Sequence, residues 1–291
     1  RILIDCGLFQ GFKELRELNW KDPIADPKDV DLILLTHGHL DHCGYLPRFI
    51  KAGFSGAIWG TAPTLEIAKI ILEDSARIQE EDAERANKER YSKHDPAEPL
   101  YTCKDVEKVL PLFAPQSLDK WIEIDKDISC RFHYNGHILG ATFIELKIGM
   151  KTIIFSGDIG REKDLLMFPP QKPEHADVII IESTYGDRQH PDDAAEKLEE
   201  IVNTCNNRKG TLIIPSFAVE RTQTLMYLLW TLKKNNRIPD IPVYMDSPMG
   251  TNVLNVFEHT TSWHRLSAMD CQHMCKDIKL IKTIQETYKL A

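Results

Sequence analysis

The sequence has no apolar run long enough to cross a bilayer as a helix, no internal repeat and no low-complexity tract. A helical membrane span and a repeat array are excluded on that ground. There is no excess of positive charge: 36 Lys and Arg stand against 44 Asp and Glu, a net of −8. A chain coated in positive potential is therefore excluded. Any contact with nucleic acid must come from a local basic groove or from bound metal ions. A disulfide framework is also missing, because the seven cysteines are odd in number and scattered. Reduced thiols in a cytoplasmic protein fit better. Cys271 and Cys275 flank His273 at a spacing irregular for structural zinc, and read as free thiols on a helix. No Met and no signal peptide open the chain, which starts at Arg1 with the strand-like run Ile2-Leu3-Ile4. The expectation is an excerpt of a longer protein.

What is present is ordinary for a globular protein: 42% apolar and 27% charged residues over 291 positions, enough for one large domain or two. One stretch is not ordinary. Thr36-His37-Gly38-His39-Leu40-Asp41-His42 reads H-x-H-x-D-H directly after the apolar run Leu32-Ile33-Leu34-Leu35. Three imidazoles and a carboxylate so close together cannot all project one way from a helix or a strand. A loop leaving a strand end can fold them round a small volume, and zinc favours such nitrogen and carboxylate ligands. A polar surface turn is the bland alternative, and further donors downstream weigh against it. His137 in Asn-Gly-His and Asp158 in Ser-Gly-Asp each follow an apolar strand. The natural grouping gives His37, His39 and His137 to one ion and Asp41 and His42 to a second, with Asp158 bridging. Asp5, at the end of the first strand, is either a simple strand-end residue or a partner orienting a ligand imidazole.

Periodicity predicts strands over 30–35, 57–61, 121–124, 128–134, 142–148, 152–155 and 178–181. A long helix is predicted over 65–91, apolar along one face in its first half and nearly all polar in its second. A short helix is expected over 104–110. Polar loops ending apolar strands are how an α/β enzyme assembles a site along a sheet edge. Beyond Asp187 the pattern alternates helix 194–203, strand 211–214, helix 221–233 and strand 243–245, which suggests a parallel sheet and a second domain.

With these residues in view the chain resembles the metallo-β-lactamase superfamily. The resemblance rests on Asp5, the Thr36–His42 motif, the His137 loop and Asp158. It narrows to the β-CASP group of RNA-processing nucleases. Glu182 in Ile-Glu-Ser-Thr-Tyr-Gly fits that group's acidic motif, and a second domain follows where the group inserts its cap. The stretch from Asp74 to Glu84 and the turn from Pro215 to Arg221 are similar to its prokaryotic ribonucleases. The resemblance implies an α/β fold, an αββα sandwich over 1–187 with an α/β β-CASP cap beginning over 188–291, both incomplete. It implies two zinc ions and hydrolysis of RNA phosphodiesters by a two-metal-activated hydroxide, endonucleolytic, 5′-exonucleolytic or both. Asp41 and Glu182 would be catalytic, and Asp5 would tune the His ligands. The group's two later histidines have no counterpart here, since His259, His264 and His273 read as ordinary surface or core residues.

The implied partner is single-stranded RNA held by its phosphate backbone, with no membrane and with a homodimer left open. Between 203 and 240 six basic residues stand against Glu220 and Asp240, a local excess of four. Arg221 is the preferred phosphate contact, at a helix start where backbone amides favour anions. Ser216 and Ser247 are candidates for phosphate or sugar, or equally helix caps. Two alternatives stay open: a small-molecule hydrolase of the superfamily, such as a thioesterase or lactamase, and a catalytically silent RNA-binding scaffold.

Overall fold

The structure is a computed structural model and describes residues 1–187, 193–281 and 284–290. They fall into two compact units: 1–164 with 169–182, and 165–168 with the residues from 183 onward. The sequence-derived boundary at 187–188 lies at the edge of the described residues.

The first unit carries β1 (Ile2–Ile4), α1 (Lys13–Arg16), β2 (Leu32–Leu34), α2 (Leu40–Cys43), α3 (Leu46–Lys51), β3 (Ala57–Thr61), α4 (Ala62–Glu89), α5 (Cys103–Glu107) and β4 (Phe113–Gln116). Then follow β5 (Ile122–Asp125), β6 (Ile128–Tyr134), β7 (Thr142–Ile148), β8 (Lys151–Phe155) and β9 (Val178–Ile180). Strands β1 to β4 form one sheet in chain order, parallel throughout. Strands β5 to β9 form the other, antiparallel except for the parallel β8–β9 pair.

Strand alternation explains how the sheets stack. Leu32 and Leu34 of β2 pack against Cys130 and Phe132 of β6 and Ile144 and Leu146 of β7, closing an apolar layer between the two sheets. Ile33, with the opposite side-chain direction, is equally buried, as is Ile58 of β3. Helix α4 packs on β3 and β4 with Leu65, Ile67, Ala68, Ile71 and Leu72 buried. Thr61 caps that helix, its hydroxyl accepting from Thr64 N, and Arg90 closes it in the left-handed conformation. A side-chain layer of this kind contributes roughly 1.5–3 kcal/mol per fully buried Leu, Ile or Phe.

The parallel sheet puts the ends of β1 and β2 at one edge, and the second sheet puts the ends of β6, β8 and β9 at one edge. Thr142, at the start of β7, ties the sheets together there: its N–H and its hydroxyl both donate to Thr36 O, at 2.9 and 3.1 Å. The loops that leave these strand ends carry every metal-site residue expected from the sequence.

The second unit carries α6 (Ala194–Asn207), α7 (Arg221–Lys234), β10 (Val243–Met245), α8 (Pro248–His259), α9 (Ala268–Lys276), β11 (Ile278–Leu280) and α10 (Ile284–Leu290). Leu198 and Val202 of α6 pack on Leu228, Leu229 and Leu232 of α7, and β10 pairs with β11 in parallel. The strand expected over 211–214 does not form: these residues pair with no strand among the described residues, and Ile213 is 82% exposed. All seven cysteines are free. His264 is buried, stacked on Phe257 at 3.9 Å, whereas His259 and His273 lie exposed on helices.

Candidate metal centre

Three loops build the site. The first leaves β2, and its backbone conformation is set by Asp5, which sits at the end of β1 with φ of 59°. Asp5 Oδ1 accepts from Thr36 N and Oδ2 from Thr36 Oγ1, each at 2.8 Å, and Oδ2 also meets His42 Nδ1 at 2.7 Å. Because the Thr36 hydroxyl donates to Asp5, it can only accept from His37 Nδ1, 3.0 Å away. The proton of His37 is thereby placed on Nδ1, and Nε2 is left as a bare donor atom. The same reasoning fixes the His42 proton that faces Asp5 on Nδ1.

The second loop, after β6, carries His137. The hydroxyls of Thr61 and Thr64 both donate to Gly140 O at 2.7 Å, which pins this loop to the start of α4. The third loop follows β8 and carries Asp158. Gly157 precedes it with φ of +53°, and a Cβ there would lie 2.7 Å from Thr36 Cβ, so only glycine lets the loop close on the first one.

The loops bring four donor atoms together. His37 Nε2 lies 3.1 Å from His39 Nδ1, and His137 Nε2 lies 3.2 Å from the same atom. Asp158 Oδ2 stands 3.5 Å from His137 Nε2 and 3.8 Å from His37 Nε2. Zinc–nitrogen bonds of 2.0–2.1 Å imply tetrahedron edges of about 3.3–3.4 Å, so these spacings suit one small cation. The other carboxylate oxygen faces elsewhere: Asp158 Oδ1 lies 3.2 Å from His42 Nε2, and Asp41 Oδ2 lies 3.8 Å from that nitrogen. His37, His39, His137 and Asp158 form one group able to hold an ion, and Asp41, His42 and Asp158 form another.

Electrostatics follows from burial and neighbours. Burial, then the other imidazoles, holds His37 well below the ordinary histidine value. Burial and the nearby His137 bring His39 down to about 4, and burial also lowers His137. These rings are neutral at neutral pH, as ligands must be. Burial opposes charge on His42 too, but the carboxylates of Asp158 and Asp5 outweigh it and raise His42 to about 10. Burial would raise Asp158, yet its bond to His42 keeps it below the usual carboxylate range. The donor set fits a divalent cation: three imidazole nitrogens, that of His37 fully buried, converge on one point, and carboxylates supply the compensating negative charge.

Glu182 lies just past β9. Its Oε1 accepts from Ile159 N at 2.8 Å and its own N–H donates to Ser156 Oγ at 3.0 Å, which anchors it beside the Asp158 loop. A cleft of ≈ 370 Å³ opens among Asp5, His42, Asp158 and Glu182, with Ile4, Phe155 and Ile180 on its apolar side. Ser216, Arg221 and Ser247 belong to the second unit. Ser216 Oγ donates to Phe217 O at 3.2 Å and accepts from Thr222 Oγ1 at 3.4 Å, Arg221 opens α7 and is exposed, and Ser247 caps α8 by accepting from Gly250 N. Three of the six local cations are paired: Lys233 with Asp277 and Asp240, Lys234 with Asp270, and Arg237 with Glu199. Thr36 and Ser156 join the site as partners of Asp5 and Glu182, roles for which the only sequence signal is a place within two positions of a ligand.

Comparison with known proteins agrees with this architecture. Residues 1–203 match the family model of the Metallo-beta-lactamase superfamily, and residues 222–290 match that of the Beta-Casp domain. Ribonuclease TTHA0252 of Thermus thermophilus is 36% identical over 260 residues, covering 88% of this chain and 55% of the relative. Transcription termination factor FttA of Methanocaldococcus jannaschii is 31% identical over 254 residues, covering 84% of this chain and 38% of the relative. Cleavage and polyadenylation specificity factor 73 of Drosophila melanogaster is 29% identical over 268 residues, covering 89% and 36%. The chain thus spans about half, or less, of the length of these relatives.

Proposed function

Because the chain belongs to the metallo-beta-lactamase superfamily and carries a Beta-Casp domain, we propose that it is the catalytic part of a zinc-dependent ribonuclease that hydrolyses RNA phosphodiester bonds. The observation that carries this reading is the pair of donor groups sharing Asp158. His37, His39, His137 and Asp158 would hold one zinc, and Asp41, His42 and Asp158 a second. Bound there, the two ions supply Lewis acidity toward the phosphoryl oxygens and lower the pKa of a coordinated water toward ~7.

The remaining steps belong to the side chains. Asp41, half-exposed beside His42, would orient the attacking water and accept its proton. Asp5 keeps His42 turned so that Nε2 points at the site, and Thr36 does the same for His37. Glu182, fixed by Ile159 N, would stand at the far side of the cleft for proton transfer at the leaving oxygen. Arg221, exposed at the start of α7, is the favoured phosphate contact of the second unit, with Ser216 and Ser247 near the starts of α7 and α8. We assign 1–187 to the lactamase domain and the residues from 188 onward to the Beta-Casp domain, and we place the protein in the cytoplasm, where the free thiols fit. The alternative small-molecule hydrolase leaves the second unit without a use, and the presence of all six expected donors, His37, His39, Asp41, His42, His137 and Asp158, disfavours a silent scaffold.

The test is direct. Metal analysis of the purified protein is expected to give about two zinc ions per chain. Labelled single-stranded RNA is expected to be cut in a chelator-sensitive way, and Asp41→Ala to abolish the cut. Cleavage that survives Asp41→Ala would overturn the assigned mechanism. Thioester hydrolysis with RNA left intact would overturn the substrate class.

A further inference from the structure

Asn135, the last residue before the Gly136-His137 loop, is 1% exposed. A buried amide in this position must have every group paired, because an unsatisfied donor or acceptor forfeits its hydration with nothing in return. Its backbone makes the bonds that any residue here would make: Asn135 N donates to Ala141 O at 3.2 Å, closing the turn, and Asn135 O accepts from Gly160 N at 2.9 Å. The side chain adds three others. Nδ2 donates to Asp158 O at 2.7 Å and to Ser156 O at 3.1 Å, and Oδ1 accepts from His137 N at 3.2 Å. The orientation of the amide is determined by its partners, since a flipped group would set its oxygen against two carbonyl oxygens.

We propose that Asn135 is a positioning residue of the metal centre, whose carboxamide locks the backbone of the His137 loop to that of the Asp158 loop. This rests on the reading that the cluster binds metal. All three side-chain bonds end on a ligand residue or two positions from one. A residue serving only to close the turn would not need them. The two loops also approach closely at this seam: a Cβ on Gly160 would lie 2.1 Å from the Gly136 carbonyl. Backbone therefore touches backbone there, and the carboxamide is the polar pin that sets the relative height of the two loops. The spacing it controls is the 3.5 Å between His137 Nε2 and Asp158 Oδ2, a contact between the only two ligands of the first group that do not come from the β2 loop. His37 and His39 share one short loop, whose backbone Asp5 already holds through Thr36.

Two substitutions separate positioning from folding. Asn135→Ala removes all three bonds. Asn135→Asp keeps the shape and the acceptor for His137 N, but sets a carboxylate oxygen against two carbonyls. Zinc affinity is measured by competition with a chromogenic chelator, and folding by near-ultraviolet circular dichroism and melting with and without zinc. Both variants are expected to fold and to bind zinc about 10-fold or more weakly, with a smaller rise in Tm on adding zinc. Unchanged affinity, with Tm lowered equally in both conditions, overturns the proposal and leaves Asn135 a structural staple. Failure of both variants to fold overturns it as well, since the role is then in folding. If the wild-type chain binds no zinc, the metal reading itself falls; if only the variants match wild type, that reading stands and this one alone is lost.

Discussion

At His42 two carboxylates meet one imidazole. Burial disfavours the charge, but Asp158 at 3.2 Å and Asp5 at 2.7 Å prevail, and the group is raised to about 10. Without metal the ring is therefore an imidazolium at neutral pH, and a cation approaching Nε2 must displace its proton. Metal binding followed by calorimetry in buffers of different ionisation enthalpy is expected to release about one proton per chain from this residue at pH 7.5. A folded pKa above the unfolded value of 6.5 gives stability that is fully present below pH 6.5 and is lost as pH rises through about 10. Denaturant titrations of the metal-free chain should show that decline, and His42→Gln should flatten it. His37 and His39 behave oppositely, being depressed by burial, and are ready to ligate without losing a proton. The H-x-H-x-D-H donors were legible because their density has few other chemical uses. Asn135 was not, because its meaning lies in bonds to residues 21 and 23 positions away.

Among the elements, α5 shows how much a local signature can fix. Thr102 caps it and Asp105 returns the bond, the hydroxyl accepting from Asp105 N and the carboxylate from Thr102 N. Thr102→Ala is expected to cost about 1 kcal/mol in urea unfolding. Burial would raise the Asp105 carboxyl, but its bonds to Thr102 and Lys108 hold it below the ordinary value of 3.8. Its contribution is thus present above pH 3.8 and lost as pH falls through the depressed value, so the deficit of Asp105→Asn should shrink in acid. Strands β6 and β7 could be read to the residue because both alternate, with one face on the inter-sheet core. The helix expected over 65–91 forms as α4 with its polar second half largely exposed. Other stretches could not be read, β4 and the run at 211–214 among them. β4 contains Pro115, a residue that argues against a strand unless it lies at an edge, and β4 is an edge strand. The run at 211–214 has strand composition, but composition supplies no pairing partner.

At the scale of the whole molecule, the described residues include a hydrophobic core between the sheets around Phe132 and another between α6 and α7 around Leu232. Two-state unfolding is not the expectation for such a chain. Scanning calorimetry should resolve two transitions, with Phe132→Ala lowering one by about 3–5 kcal/mol and Leu232→Ala lowering the other by about 2–5 kcal/mol. A single transition shifted alike by both substitutions would show one cooperative unit. The mixed α/β character and the change of pattern beyond Asp187 were legible from the strand and helix periods, whereas the sandwich was implied only by the family resemblance. The stacking of one sheet on the other depends on long-range pairing that no local pattern carries.

The His39–His137 contact, which closes 98 residues of chain, has a consequence for the order of events in folding. A ribosome that has released only the first sheet has made a peptide with three imidazoles and one carboxylate in a row, a loose chelator with little preference among metals. The site becomes selective only when β6 and β8 have been synthesised and paired, because loop closure over that span precedes any reward from the contact. An ion bound there would therefore be chosen by the finished fold, as a seal on correct assembly and not as the seed of it.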